Sequence, residues 1–286
     1  CTIAESTQPE KRINVYWWLS IIGTLAACAT PLMGLLVGGG DTARLVSVMR
    51  GVLLASACVH MAAFLLRNHM HKESAIGIER MEAARHERPT AALKAYGPIF
   101  RLLAKNPVLV LFIAIRSMYY AQLNLKNTFL SVTVVQGLGL EYGTIGIISL
   151  VTGLTMLPAQ LLLQPKLSAW PQRKVLAAGL ATLMLSNAAL VFLPAGSLPI
   201  LLVTIVVTAV GTVATVLMVD TGMANALPDA NRAPLLGLAA VILVILSAVF
   251  QVVGGFLAEL PGIGPRLPLA MVSMLFAASL AVLAII

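Results

Sequence analysis

Eight runs of apolar residues, each near the length that crosses a bilayer, constrain this chain more than any other feature. They cover roughly 13–37, 45–66, 107–135, 143–165, 174–194, 199–226, 234–259 and 266–286. About 20 residues of helix span the ~30 Å of hydrocarbon in a membrane. Lipid offers the backbone no hydrogen-bond partners, so only helices and closed barrels cross it. The ten-residue alternating segments that barrel strands require do not occur. The expected fold is therefore all-α, a polytopic membrane protein with eight transmembrane helices. Composition agrees: the 286 residues are 59% hydrophobic and 10% charged, where soluble domains run near 45–50% and about 25%.

The net charge of +8 would point to nucleic acid in a soluble protein, but its placement explains it without such a partner. Lys11 and Arg12 precede the first run. Arg67, Lys72, Arg80, Arg85, Arg88, Lys94, Arg101 and Lys105 fill the connection after the second, Lys166, Arg173 and Lys174 follow the fourth, and Arg232 follows the sixth. The alternate connections hold only Arg44 and Arg266. By the positive-inside rule the basic side is cytoplasmic, which places both termini and the long 67–106 connection there, in a plasma (inner) membrane. Within that connection, "AALKAYGPIFRLLAKN" sets Leu93, Tyr96, Phe100 and Leu103 on one helical face and Lys94, Arg101 and Lys105 on another. This is the pattern of a helix lying on an anionic leaflet, but Gly97 and Pro98 interrupt it, and a solvated charged linker with no surface contact is the alternative.

One span is not uniformly oily. Along "FIAIRSMYYAQLNLKNTFLSV", Arg116, Tyr120, Asn124, Asn127 and Ser131 recur at spacings of four, four, three and four. On a helix they form a single stripe about 22 Å long, flanked by Tyr119, Gln122 and Lys126. Arg116 facing lipid would cost about 2.5–3.5 kcal/mol, so the stripe must face protein or water. A guanidinium about 14 Å deep can hold a carboxylate or phosphate through two parallel hydrogen bonds, or it can pair with an acidic residue of helices that would precede this chain. Asp220 is the other intramembrane charge, near the inner end of the sixth run. His60, Gln160, Gln164, Asn187 and Gln251 are single polar residues within runs, each suited to an interhelical hydrogen bond. Cys28 and Cys58 lie inside spans and Cys1 is terminal, so no disulfide framework or metal spacing is present, and no motif calls for a cofactor.

Two spans, a basic inner linker and six further spans resemble the major facilitator superfamily, whose transporters join two six-helix halves by a long inner loop. In the first span, "ACATPLMGLL" resembles the helix-five motif of proton-coupled antiporters, with Ala26, Thr30, Pro31 and Gly34 on the pattern. "NALPDANRAPLLGL" and "QVVGGFLAELPG" are similar to the loop after helix ten and the end of helix eleven. "LLQPKLSAWPQRKVL" keeps the basic cluster of the family's inner-loop signature but lacks its Gly and Asp. The resemblance implies that residues 1–66 are the last two helices of a first half, 67–106 the cytoplasmic linker and 107–286 the second half. Four helices would then precede the chain, which opens "CTIAESTQPEKRINVYWW" without Met or a signal-peptide pattern.

The same resemblance implies a secondary transporter moving a small solute by alternating access, as proton-coupled efflux of a drug or metabolite. Its substrate side chains would be Arg116, Tyr119, Tyr120, Asn124 and Asn127. Asp220 would latch the inner side by pairing with Arg173 or Lys174, with proton coupling as its alternative role. No metalloprotease, paired-aspartate or Ser-His pattern and no P-loop occurs, which argues against an intramembrane enzyme or an ATP-driven pump. A non-transporting sensory or scaffolding membrane domain is the alternative.

Overall fold

The computed structural model describes residues 14–25, 42–70, 78, 82, 97, 99–227 and 232–284, and among them there is no strand. In chain order the helices are α1 (14–25), α2 (Thr42–Met70), α3 (99–105), α4 (Pro107–Val132), α5 (Gly143–Ala169), α6 (Gln172–Phe192), α7 (Leu198–Ala226), α8 (Arg232–Ala258) and α9 (Leu267–Ala284). A π turn, Thr133–Gly137, prolongs α4, and a 3-10 turn, Gly264–Arg266, leads into α9. Six of these helices, α4 through α9, are long and apolar enough to cross a membrane. The run expected at 45–66 lies within α2, whose uninterrupted apolar part is Arg50–Leu66, about 25 Å of helix and shorter than the hydrocarbon layer. Only residues 14–25 of the first run are described, so Ala26, Thr30, Pro31 and Gly34 lie outside the described residues.

The helices of the six-span unit pack in a pattern with internal symmetry. Helix α4 packs against α8 and α9, while α7 packs against α5 and α6. Helices α4 and α7 also touch each other, as do α6 and α9. Exchanging the first three helices for the last three turns this list into itself. Successive helices joined by short connections run antiparallel, so α4 and α7, three helices apart, also run in opposite directions. The unit is thus two three-helix repeats of inverted direction, with α4 and α7 as equivalent members.

Lipid is as apolar as a core side chain, so close packing rather than water exclusion holds such helices together. The α6–α7 contact shows how. A Cβ on Gly179 would fall on Oγ1 of Thr215 and 3.2 Å from its backbone nitrogen, and one on Gly211 would lie 3.0 Å from Cγ2 of Thr182. The two backbones approach to a distance only glycine permits. Thr204, Thr208, Thr212 and Thr215 of α7 each return their hydroxyl proton to the carbonyl four residues back, so none brings an unpaired donor into lipid.

Hydrogen bonds tie each end of the bundle. At the end where α4 begins and α7 ends, Gln172 donates to the Met218 carbonyl and Arg173 to that of Ala284. Arg101, Lys105, Lys166, Arg173 and Lys174 are exposed here, and this is called the basic end below. At the opposite end Arg266 donates to the carbonyls of Gly137, Val191 and Leu193, at 2.6–3.1 Å, and Thr133 donates to Pro265 at 2.7 Å. One guanidinium therefore satisfies terminal carbonyls of both α4 and α6 that have no partner within their own helices.

Candidate functional site

Helix α4 lies between α7, α8 and α9, so its environment changes around its circumference. Its buried residues, Leu109, Ile113, Ile115, Leu125 and Phe129 among them, occur round most of the helix, with Ser117 donating to the Ala239 carbonyl of α8 at 3.4 Å and Gln122 to Ser279 of α9 at 3.2 Å. The polar stripe lies opposite Leu125 and Phe129 and in line with Leu109 and Ile113, seven and three residues before Arg116. Arg116, Tyr120 and Ser131 are partly exposed, and Asn124 and Asn127 are exposed. The sequence periodicity is thus reproduced, and the stripe runs from contacts with α7 and α8 at Arg116, Tyr120 and Asn124 to an exposed, open side at Asn127.

Two members of the stripe converge on α7. Nε of Arg116 lies 3.3 Å from Oδ1 of Asp220, and the Tyr120 hydroxyl donates to Oδ2 of the same carboxylate at 2.7 Å. Both carboxylate oxygens are therefore bonded, one to a cation and one to a phenol. The guanidinium also sits over the Tyr120 ring, 5.0 Å from its centroid, the i to i+4 spacing bringing the two together on one helix face. Arg116 and Asp220 keep 23% and 22% of their side-chain surface exposed, so the pair is neither sealed in the core nor free in solvent. Only Nε is engaged by Asp220. The two terminal amino groups of Arg116 carry no hydrogen bond among the described residues, which leaves the flat outer edge of the guanidinium available to a second anion.

This arrangement corrects the pairing expected for Asp220. Its cationic partner is Arg116 on α4, not Arg173 or Lys174. Arg173 is exposed and spends a terminal amino group on the Ala284 carbonyl, and Lys174 is exposed with no ion pair among the described residues. The physical reason is depth. Asp220 lies six residues before the end of α7, two turns into the span, whereas Arg173 and Lys174 start α6 at the bundle rim.

The remaining residues divide. Tyr119 is fully buried, edge-on to Tyr120 with centroids 5.2 Å apart and 6.4 Å from Phe276, so it supports Tyr120 from behind rather than facing the open side. Asn124 donates to Ser247 of α8 at 3.3 Å, and Asn127 lies on the open side one turn further. Lys126 is partly exposed and makes no ion pair among the described residues. Gln160 of α5 does bond between helices, donating to Ser20 and Thr24 of α1 at 2.8 Å, and Trp17 donates to its carbonyl at 2.8 Å. Asn187 does not: it turns its amide to the Leu183 carbonyl of its own helix. His60 likewise bonds within its own helix, to Ser56. Gly254 admits Leu125 and Phe129 of α4, a Cβ there falling 2.8 Å and 2.9 Å from them.

Two features escape a sequence reading. The Arg116–Asp220 pair had one signal, since charges of opposite sign set deep in two spans are cheap partners for each other in lipid. The Arg266 clamp had a fainter one, as one of only two basic residues, with Arg44, in the connections of the less basic side.

Among the described residues no group of His, Cys, Asp and Glu side chains has the makings of a metal site. Comparison of the chain with known protein families and with curated proteins returns no match.

Proposed function

We propose that this protein is a secondary transporter of a small solute bearing a carboxylate or phosphate, working by alternating access with the Arg116 stripe lining its path. The observation that carries this reading is the Arg116–Asp220–Tyr120 cluster, a charged and partly exposed group set two to three turns inside an apolar bundle. Ionisable groups are expensive at that depth and are retained where a solute or ion path needs them. The inverted three-helix repeats support it, because such repeats let one set of contacts form on either side of a membrane as helices rock about a central site. In this reading all eight apolar runs cross a plasma membrane, the basic end faces the cytoplasm and the chain is a member of the major facilitator superfamily. By the same resemblance the transport is proton-coupled efflux.

The solute would bind at the outer edge of the Arg116 guanidinium while Asp220 holds Nε, and the Tyr120 ring would keep the guanidinium plane fixed. The test is thermal unfolding of detergent-purified protein against a panel of small carboxylates, phosphates and uncharged analogues. A binder at a hundred times its Kd stabilises by about 2.7 kcal/mol. That stabilisation should be confined to anionic compounds and lost in Arg116→Lys, which keeps the charge but not the planar fork. Stabilisation by uncharged analogues alone, or an undiminished response in Arg116→Lys, would rule the reading out.

A further inference from the structure

The helix α3 has no part in the cluster just described, and its two faces differ in a way the sequence alone does not reveal. Ile99 is buried, and Leu102 and Leu103 are partly buried against Leu109 and Ile113 of α4, Met223 of α7 and Leu235 of α8. Phe100 was expected on the same apolar face as Leu103. Instead it is 56% exposed and stands outward beside Arg101 and Lys105, both exposed and without ion pairs among the described residues. The bundle takes up one apolar face of α3 and leaves a second, made of an aromatic ring and two cations.

What covers that second face follows from where the chain goes next. Asn106 caps α4, accepting a hydrogen bond from the Leu109 amide at 3.2 Å, and Pro107 opens the helix. Helix α4 is apolar from its first turn, with Val108 and Val110 45% and 44% exposed on the outside of the bundle, where a membrane-spanning α4 would meet lipid. Phe100, Arg101 and Lys105 therefore sit at the level of the headgroups, the ring at acyl-chain depth and the cations among phosphates.

We infer that α3 is a binding surface for anionic phospholipid, with headgroup phosphates held by Arg101 and Lys105 and Phe100 inserted beside them. Bound lipid presses the opposite face, Ile99, Leu102 and Leu103, onto the ends of α4, α7 and α8. Phe112 belongs to the same apolar cluster and lies one turn before Arg116, so lipid on α3 steadies the basic end of the two helices that carry the ion pair. The inference rests on the membrane placement of α4 and not on the transport reading.

The experiment measures how well Ile99 is covered. Ile99→Cys is introduced in a Cys1→Ser, Cys28→Ser, Cys58→Ser background and reconstituted in nanodiscs of phosphatidylcholine alone or with about one-third phosphatidylglycerol, and its reaction with a water-soluble maleimide is timed. Each basic residue near an anionic surface contributes about a fivefold gain in binding, so the pair contributes about 25-fold. Labelling should slow at least about fivefold in the anionic discs. Arg101→Gln with Lys105→Gln should abolish the difference, while Arg101→Lys with native Lys105 should keep most of it. Millimolar inorganic phosphate in neutral discs should not reproduce the slowing. Equal labelling in both lipids, which would mean that another part of the protein covers this face, overturns the inference. So does full lipid dependence in the double Gln variant, or slowing by free phosphate alone.

Discussion

Breaking the Arg116–Asp220 pair from each side, and then from both, should give strongly non-additive stabilities. Charge centres about 4 Å apart attract by roughly 4 kcal/mol at an effective dielectric near 20. Removing the two groups from water offsets part of that gain. With 23% and 22% of the two side chains exposed, solvent screens a further part, which leaves a coupling of about 2 kcal/mol. Asp220→Asn alone should cost about 2–3 kcal/mol, because it strands a guanidinium two to three turns inside the bundle. Arg116→Gln should cost a similar amount by stranding the carboxylate, although the Tyr120 hydroxyl still bonds it. The double variant Arg116→Gln/Asp220→Asn should be less destabilised than the sum by about 2 kcal/mol, read from unfolding midpoints in detergent. Independent sites add to within about 0.5 kcal/mol, so additivity to that precision would refute the reasoning that this contact is an energetic pair.

Tyr120→Phe removes a phenol hydrogen bond to a charged acceptor and should destabilise by about 1–2 kcal/mol in the same assay, with no effect once Asp220→Asn is present. Arg266→Lys should lower the unfolding midpoint nearly as far as Arg266→Gln, by about 2–4 kcal/mol, because one ammonium cannot serve the carbonyls of Gly137, Val191 and Leu193 together. Gly179→Val should cost at least about 1–3 kcal/mol, since its side chain would overlap Thr215, whereas Gly146→Ala, with nothing within 4 Å of the new Cβ, should be neutral or mildly stabilising.

Hydropathy located the six helices long and apolar enough to span a membrane to within a few residues, because the cost of polar groups in lipid makes such boundaries a local property of the chain. The end of α4 moved from 135 to 137 because a π turn forms there, and that turn depends on Pro265 and Arg266, 132 and 129 residues away from their partners Thr133 and Gly137. The polar stripe was legible for the same reason as the spans: its period is that of a helix. Its contacts were not, since the choice between Arg116 and the rim cations as partner of Asp220 depends on how deep each sits and which helix faces α7. Phe100 illustrates the limit most plainly. Its helical position beside Arg101 is in the sequence, but which flank of α3 the bundle would occupy is decided by Leu109, Met223 and Leu235. The inverted symmetry of the six helices leaves almost no trace in residue identities, because packing in lipid asks only for small or apolar residues at each crossing.

The central claim is that the stripe on α4 faces water rather than lipid, and single cysteines report this directly. Asn124→Cys, Asn127→Cys and Ser131→Cys should react readily with a membrane-impermeant maleimide in proteoliposomes carrying a Cys1→Ser, Cys28→Ser, Cys58→Ser background. Leu162→Cys and Val244→Cys, at positions 68% and 65% exposed on the apolar surface, should be inert because lipid covers them. Reactivity along the stripe well above that of the two lipid-facing controls is the predicted result. Stripe positions as inert as Leu162→Cys and Val244→Cys would contradict the account, leaving Arg116 and Asp220 as a structural pair with no path beside it.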